Sequence, residues 1–222
     1  MKRTLIVLMV IGFGTGILFS QSINLKIGLF SPSLQSDLWA DNMVNLAFNK
    51  TDLLDMYYGA EYEFFLSRHA SFSLEIGSYA KEVYTQYKDY TDQDGRPIFQ
   101  NMTLRISPIE ANVKFYPLGH RYEFSPYFGI GVGVYGWTYQ QYGDFIIFPD
   151  GYIEEGFAET DTFSIGFNAR VGFVYRFLPR LGLALEAKYQ YVRGQLSGYF
   201  EGFERLDLGG VTATVGLNFY LR

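Results

Sequence analysis

The sequence of 222 residues contains no cysteine and only two histidines. Without cysteine the chain can form no disulfide, no thiolate metal site, no cysteine nucleophile and no lipoprotein-type anchor. Long apolar runs are missing as well: after residue 20 no stretch of about 18 apolar residues occurs, which excludes a membrane-spanning helix. The chain is therefore neither a disulfide-stapled scaffold nor a helical membrane protein.

The first 21 residues have the pattern of a secretory signal peptide. Lys2 and Arg3 form a positively charged start, and residues 5–11 form an apolar segment that gives way to glycines and polar residues. We predict that segment 1–21 is a signal peptide that is cleaved off, and the position after Ser20 is the favoured cleavage site. A retained membrane anchor is the alternative, but the interspersed glycines weaken it.

The remaining residues, 22–222, form one domain by length and by their uniform composition. An aromatic content of 19% and 24 glycines favour strands over helices. The formal net charge is −5, and loss of the two basic residues of the signal peptide leaves about −7. This acidic balance argues against nucleic acid as a partner.

The last residues before Arg222 alternate strictly in polarity. In segment 211–221 the odd positions are Val, Ala, Val, Leu, Phe and Leu, and the even positions are Thr, Thr, Gly, Asn and Tyr. Only a β-strand separates two such sets onto opposite faces. The segment spans about the 9 to 11 residues that a tilted strand needs to cross a bilayer.

Seven further segments alternate in the same way, so the sequence predicts eight strands. The connections between them alternate between long and short, which is typical of up-and-down barrels with an even strand count. We therefore predict an all-β fold: an eight-stranded antiparallel up-and-down transmembrane β-barrel with short periplasmic turns, both termini in the periplasm, and four long extracellular loops. The predicted loops are 31–53, 88–101, 143–161 and 197–206.

Period-two alternation does not say which face of the barrel is outside, and a soluble lipocalin-like barrel is the alternative. The polar face is rich in glycine, which suits a crowded lumen. The apolar face carries aromatic residues near both strand ends, as in the double aromatic girdle of a membrane barrel. These two features and the alternating connection lengths favour the membrane barrel.

The fourth strand, 102–116, changes phase in the middle. Leu104 and Ile106 are apolar at even positions, whereas Ile109 and the alternate residues after it are apolar at odd positions. A one-residue shift would turn the strand inside out, so we predict a β-bulge at Ser107 and Pro108.

With these segments in place, the chain resembles the small bacterial outer-membrane barrels of the OmpA-like transmembrane domain, OmpX type and OmpW type. The closing strand resembles theirs, and residues 124–134, FSPYFGIGVGV, are similar to a strand found in these families. The resemblance implies an integral outer-membrane protein and carries no functional motif.

The predicted register places charged side chains inside the barrel. They must pair or hold water in a low-dielectric interior. A structural salt-bridge network is the first interpretation, and a gated polar pore or a proton-sensitive plug is the alternative. We further predict that Arg170 pairs with Glu186 across one hairpin. The predicted lumen residues are Lys26, Glu61, Glu63, Glu75, Lys81, Arg105, Glu110, Lys114, Arg170, Arg176, Glu186 and Lys188.

Two loops carry further candidates for contact with other molecules. Loop 143–161 is acidic and contains neither Lys nor Arg, so it is either a solvated hairpin or a contact for a divalent cation or ligand. Loop 31–53 has apolar residues at helical spacing, which predicts a short amphipathic helix over the barrel mouth or on the membrane surface. The predicted loop contacts are Asp144, Asp150, Glu154, Glu155 and Glu159.

Catalysis has little support in the sequence, because His69 and His120 fall in predicted periplasmic turns, away from the outer rim. No cofactor or metal is implied. The first functional hypothesis is a monomeric outer-membrane barrel with a structural or surface-interaction role, in contact with outer-membrane lipid, lipopolysaccharide and an extracellular ligand. The alternative is an OmpW-like channel or transporter for small, including hydrophobic, molecules.

Overall fold

The computed structural model describes residues 20–147 and 152–221, and these form a closed antiparallel barrel. The predicted signal peptide therefore lies outside the described residues except for its last two positions, Ser20 and Gln21. The strands are β1 (Gln21–Pro32), β2 (Asp55–Phe65), β3 (Ala70–Thr91), β4 (Pro97–Phe115), β5 (Phe124–Ile147), β6 (Tyr152–Leu178), β7 (Leu181–Gly194), β8 (Leu206–Asp207) and β9 (Gly210–Leu221).

Eight of these strands make the ring, and the two-residue β8 pairs with the end of β7 outside it. Sequential strands pair from β1 to β7, and β9 closes the barrel between β7 and β1. Gln21 faces Leu221 across the closing pair, so both ends of the described chain lie at one end of the barrel. The predicted eight-stranded fold is thus confirmed. Among the described residues, no helix is long and apolar enough to cross a membrane.

The two ends of the barrel differ in how their strands are connected. We call the end with the short turns at 66–69, 116–123 and 179–180 the turn end, and the opposite end the loop end. The hairpins of the loop end are longer than the sequence suggested, because β3 and β4 continue to Thr91 and from Pro97. The predicted loop 88–101 is therefore mostly a two-stranded extension of the barrel wall.

The first long connection covers the barrel mouth, as predicted. It contains helix α1 (Asp37–Asn45) and a 3₁₀ helix at Lys50–Leu53. Trp39 of α1 is fully buried, and its Nε1 donates to the carbonyl oxygen of Asp207 at 3.0 Å. A second 3₁₀ helix, Gly198–Phe200, packs against β6 and contributes the buried Phe200, whose ring lies 5.3 Å from that of Tyr139.

Apolar residues change faces along the height of the barrel, and β5 illustrates this. Near the turn end, Val132 and Val134 point outward and are about half exposed, at 51% and 46%. Toward the loop end, Trp137 and Tyr139 are buried inside, and the outward positions between and beyond them are polar, beginning with Thr138. One half of the barrel therefore has an apolar exterior, and the other half has an apolar interior like that of a soluble protein.

The predicted β-bulge in β4 is wrong. The pairing of β4 with β5 runs without interruption through Ser107 and Pro108, and the pairing with β3 keeps one register on both sides of them. Leu104 and Ile106 are buried inside the barrel, and Arg105 points outward and is exposed. The change of phase marks the height at which the apolar face moves from outside to inside.

Candidate functional site

A network of nine charged side chains fills the middle of the barrel, and we call it the ionic network. All nine are buried. Five are carboxylates and four are cations, so the charges nearly balance. The members are Lys26, Glu61, Glu63, Glu75, Glu110, Lys114, Arg170, Glu186 and Lys188.

Glu75 on β3 is the most highly connected carboxylate of the ionic network. Its Oε2 accepts hydrogen bonds from Lys26 Nζ and Arg170 Nη1, both at 2.8 Å. Its Oε1 accepts from Lys188 Nζ at 2.9 Å and from the Tyr57 hydroxyl at 3.0 Å. Cations from three other strands therefore meet at one carboxylate, which ties opposite walls of the barrel together.

Arg170 on β6 makes closer contacts with Glu75 and Glu110 than with its predicted partner. Its Nη2 donates to Glu110 at 2.8 Å, whereas its Nη1 lies 3.6 Å from Glu186. The strand register explains this order, because Arg170 lies directly opposite Lys188 on β7. The predicted Arg170–Glu186 pair exists, but the stronger contacts of Arg170 reach across the lumen.

Four buried tyrosines complete the carboxylate shell. Besides Tyr57, the hydroxyl of Tyr116 donates to Glu63 at 2.6 Å, that of Tyr127 to Glu186 at 2.8 Å and that of Tyr135 to Glu110 at 2.6 Å. Buried charges are costly unless they are both paired and hydrogen-bonded. These tyrosines were absent from the predicted site because only charged residues were counted as candidates. Their place in the alternation, on the same face as the charged residues or the lumen glycines, was the signal that could have found them.

Three predicted lumen residues lie outside the ionic network. Lys81 pairs with Asp55 at 3.0 Å in a partly exposed position near the loop end. Arg105 is on the outer surface, because β4 has no bulge. Arg176 lies at the turn end, where its Nη2 donates to the carbonyl oxygen of His120 at 3.0 Å.

Apolar layers close the barrel on both sides of the ionic network. Toward the turn end, Tyr116 and Tyr127 pack with Phe65, Val174 and Ala184. Toward the loop end lies a larger core that includes Phe30, Leu38, Trp39, Leu53, Tyr79, Leu104, Ile106, Tyr135, Trp137, Tyr139, Val192, Phe200 and Leu206. Protein side chains therefore fill the barrel axis at three successive heights.

A cavity of about 520 Å³ opens above this core, between α1, the β5–β6 hairpin and the segment around the second 3₁₀ helix. We call it the mouth cavity. Its floor is a hydrogen-bonded polar group: Asn42 Nδ2 donates to the Tyr139 hydroxyl at 2.8 Å, and Gln141 Nε2 donates to Asn42 Oδ1 at 2.9 Å. Its walls combine apolar rings such as Phe145 with acids such as Glu154.

The predicted acidic contacts of loop 143–161 are spread along the β5–β6 hairpin. Glu154 and Glu155 line the mouth cavity, Asp144 is the pairing partner of Glu155, and Glu159 accepts from Gln140 at 2.7 Å. Asp150 lies outside the described residues. In the described ranges 20–147 and 152–221, no three His, Cys, Asp or Glu side chains are grouped to hold a metal ion. The cation contact stays a prediction.

Both histidines lie at the turn end, as predicted. His69 Nδ1 is 2.9 Å from the carbonyl oxygen of Tyr116. His120 is buried, with its ring stacked on Phe65 at a centroid distance of 4.1 Å and its Nδ1 3.1 Å from the carbonyl oxygen of Arg68. The two imidazoles are thus held by backbone carbonyls of the turns.

No protein-family model matches the sequence, and none of the curated protein sequences matches it significantly. Solved structures do match. The outer membrane protein OprG from Pseudomonas aeruginosa shares 13% identity over 92% of this chain and 96% of its own, with a TM-score of 0.59. A major outer membrane protein from Thermus thermophilus shares 11% identity over 92% and 100%, with a TM-score of 0.58.

Neisserial surface protein A shares 14% identity with this chain, over 90% of it and 96% of its own length, with a TM-score of 0.50. At such identities the likeness establishes the fold alone. The chain has the fold of small bacterial outer-membrane β-barrels, as the resemblance in sequence pattern indicated.

Proposed function

We propose that the protein is an integral, monomeric outer-membrane β-barrel whose interior is closed and whose loop end contacts molecules outside the cell. Its role in this proposal is structural or one of surface interaction. The turn end then faces the periplasm and the loop end faces the exterior. The proposal includes no enzymatic activity, since both histidines lie at the turn end.

A belt of exposed apolar side chains supports the membrane location. Such a belt would be exposed to water in a soluble barrel, where large apolar patches are rare. In a bilayer it is the lipid-facing surface of the wall, flanked by aromatic residues at the two interfaces. Its members include Leu25, Ile27, Ile76, Ile109, Val113, Ile130, Val132, Ile165, Val171, Leu185 and Val215.

The observation that carries the closed-barrel proposal is the continuous filling of the barrel axis. An ion entering from the loop end meets the fully buried rings of Trp39 and Tyr139, and then the ionic network. Eight-stranded barrels have an interior just wide enough for side chains. A structural lumen is therefore favoured over a pore.

The mouth cavity is the feature of the loop end best suited to a surface interaction. It is concave and largely preformed, and it combines apolar walls with a few fixed polar groups, as ligand sites generally do. Its volume of about 520 Å³ is within the range of sites for small molecules. Lipopolysaccharide and outer-membrane lipid are the partners proposed for the outer wall.

The mouth cavity also favours the second candidate function, an OmpW-like channel or transporter for small molecules. In that case the cavity is an entry site, and a route must open either through the apolar core or sideways through the wall. The packing of Trp39 against Tyr139, at a ring distance of 5.2 Å, blocks the axial route in this conformation. The closed-barrel function is for that reason the first proposal.

Single-cysteine labelling can test location and orientation. Each variant carries one reactive thiol, because the natural sequence has no cysteine. Asp94→Cys places a thiol at the tip of the β3–β4 hairpin, and Leu118→Cys places one in an exposed turn of the turn end. A maleimide on a polymer too large for porins should label Asp94→Cys in intact cells. It should label Leu118→Cys only after the outer membrane is permeabilised. The opposite pattern would overturn the orientation.

A further inference from the structure

The turn end carries a concentration of arginine that the ionic network does not use. Its described residues include four arginines, Arg68, Arg121, Arg176 and Arg180, and a single acid, Glu123. The loop end, in contrast, carries most of the acids outside the ionic network. Protein charge is therefore polarised along the barrel axis, with positive charge at the turn end.

Three of these arginines and a histidine line one cavity of about 530 Å³, which we call the basic cavity. Arg121 comes from the turn after β4, Arg176 from the end of β6 and Arg180 from the turn before β7, with His120 beside them. No carboxylate side chain belongs to its described lining. Cations from two separate chain segments thus face one space, and no anionic side chain of the described residues lies between them.

Hydrogen bonds fix the backbone and side chains around the basic cavity. Arg176 lies with its guanidinium carbon 3.7 Å from the centre of the Tyr220 ring, and its Nη2 donates to the carbonyl oxygen of His120. The carbonyl oxygen of Arg180 accepts from the backbone N–H of Tyr220 at 2.9 Å. The Arg176 side chain and the Arg180 backbone are therefore fixed before any ligand arrives, whereas the exposed side chains of Arg121 and Arg180 would become ordered on binding.

Two buried nitrogen atoms of this cavity lack partners among the described residues. They are Nε of Arg176 and Nε2 of His120, and His120 itself is only 4% exposed. A buried donor without an acceptor is destabilising, and a bound ion or water is one way in which native proteins satisfy it. Both nitrogens belong to residues that line the basic cavity. Arg176 Nε is a donor that an anion there would satisfy. His120 Nδ1 faces the carbonyl oxygen of Arg68, so Nε2 becomes a donor only when the imidazole is protonated, a state that an anion would favour.

We infer that the basic cavity binds a phosphate group, either that of a phospholipid headgroup or a free phosphate. Phosphate offers several acceptor oxygens to guanidinium groups arriving from different directions, and its charge of up to about −2 suits three arginines better than a single carboxylate does. The site goes beyond the proposed surface function, because it lies at the opposite end of the barrel.

The test compares two phosphate sources on the full-length mature protein in phosphate-free maltoside micelles. One arm titrates inorganic phosphate at constant ionic strength, which removes general screening effects. The other arm adds phosphatidylglycerol and counts bound lipid by native mass spectrometry. Saturable binding of one phosphate group per barrel is expected in at least one arm. Binding of lipid alone assigns a headgroup site, and binding of inorganic phosphate assigns a site open to soluble phosphate.

Arg180→Gln should weaken the binding about tenfold, which corresponds to the loss of one charge-assisted hydrogen bond. Arg68→Gln is the matched control, because Arg68 contributes the same charge at the same end but contacts Tyr122 outside the basic cavity. Arg176 is unsuitable for the test, since its contacts also hold the turn. Heat-modifiability on gels verifies that both variants fold.

A histidine signal provides a second readout that a purely structural arginine cluster would not give. Occupancy of the cavity by an anion should move the resonances of His120 and raise its pKa, with a smaller effect on His69, which does not line the cavity. Absence of saturable binding in both arms, or an equal loss in Arg68→Gln and Arg180→Gln, would overturn the proposal.

Discussion

Arg170 on β6 donates a hydrogen bond of 2.8 Å to Glu75 on β3, although these two strands do not pair with each other. The contact crosses the lumen and so links walls that the sheet connects only indirectly. Because both side chains are fully buried, neither can exchange its partner for bulk water when the other is removed. The contact therefore couples the closure of the barrel to the integrity of the ionic network.

Removal of a cation should be far more costly in the lumen than near the rim. Arg170→Met leaves several buried carboxylates undercompensated and should reduce the free energy of unfolding by about 3 to 5 kcal/mol. Lys81→Met breaks the partly exposed pair with Asp55 and should cost at most about 1 kcal/mol. Reversible urea unfolding in lipid vesicles, followed by tryptophan fluorescence, measures both. Equal losses would mean that water reaches the lumen.

Pairwise coupling should follow the distances within the ionic network. A double-mutant cycle of Arg170→Met with Glu75→Gln should give a larger coupling free energy than the cycle with Glu186→Gln, within the range of about 0.5 to 3 kcal/mol found for contacting residues. The reason is that Arg170 lies 2.8 Å from Glu75 and 3.6 Å from Glu186. A stronger coupling to Glu186 would contradict this geometry.

Glycines that face the lumen should not tolerate a side chain. A Cβ added at Gly131 would overlap Asn112 Oδ1, and Asn112 itself accepts a hydrogen bond from Arg170. Gly131→Ala should therefore destabilise the barrel by about 1 to 3 kcal/mol through overpacking. Gly136→Ala is the control, because the nearest neighbour of its Cβ would be the exposed Phe163 ring, at 3.1 Å. Similar unfolding midpoints for the two variants would argue against a filled lumen.

Stability should depend on pH through His120. Burial lowers the pKa of His120 from its usual 6.5, and Arg121 and Arg176 lower it further. The unfolded chain then takes up a proton before the folded protein does, so stability present above about pH 6.5 is lost as the pH falls toward the folded pKa. His120→Gln should flatten the unfolding free energy in this window, whereas His69→Gln should not. An unchanged pH profile in His120→Gln would contradict the assigned environment.

The sequence was sufficient for the eight strands, their order and most outward-facing positions, because alternation is a local property of every strand whose two faces have different surroundings. The assignment of residues to the two faces was wrong at the height of the barrel where the apolar face moves from outside to inside. Along β4 the outward side chains change from apolar, as at Ile109, to polar, as at Arg105, and the interior changes from the ionic network to the apolar core. Alternation alone could not distinguish this inversion from a bulge, so Arg105 was assigned to the wrong face.

The partners within the ionic network were also beyond the sequence. Alternation identifies Glu75 and Arg170 as inward-facing, but strand stagger and side-chain length decide that they meet across the lumen. The same holds for the basic cavity, whose arginines come from two separate chain segments. Contacts between segments that are far apart in sequence depend on how the closed barrel brings its strands together. The residues of one segment do not determine this arrangement.

The central claim is that the barrel interior is closed, and single-channel recording of the purified protein in planar bilayers tests it most directly. The filled axis predicts a baseline current with no reproducible conductance steps at either polarity. Heat-modifiability of the same sample verifies that the inserted protein is folded. A reproducible open state with a defined conductance would contradict the closed interior and would favour the channel function instead.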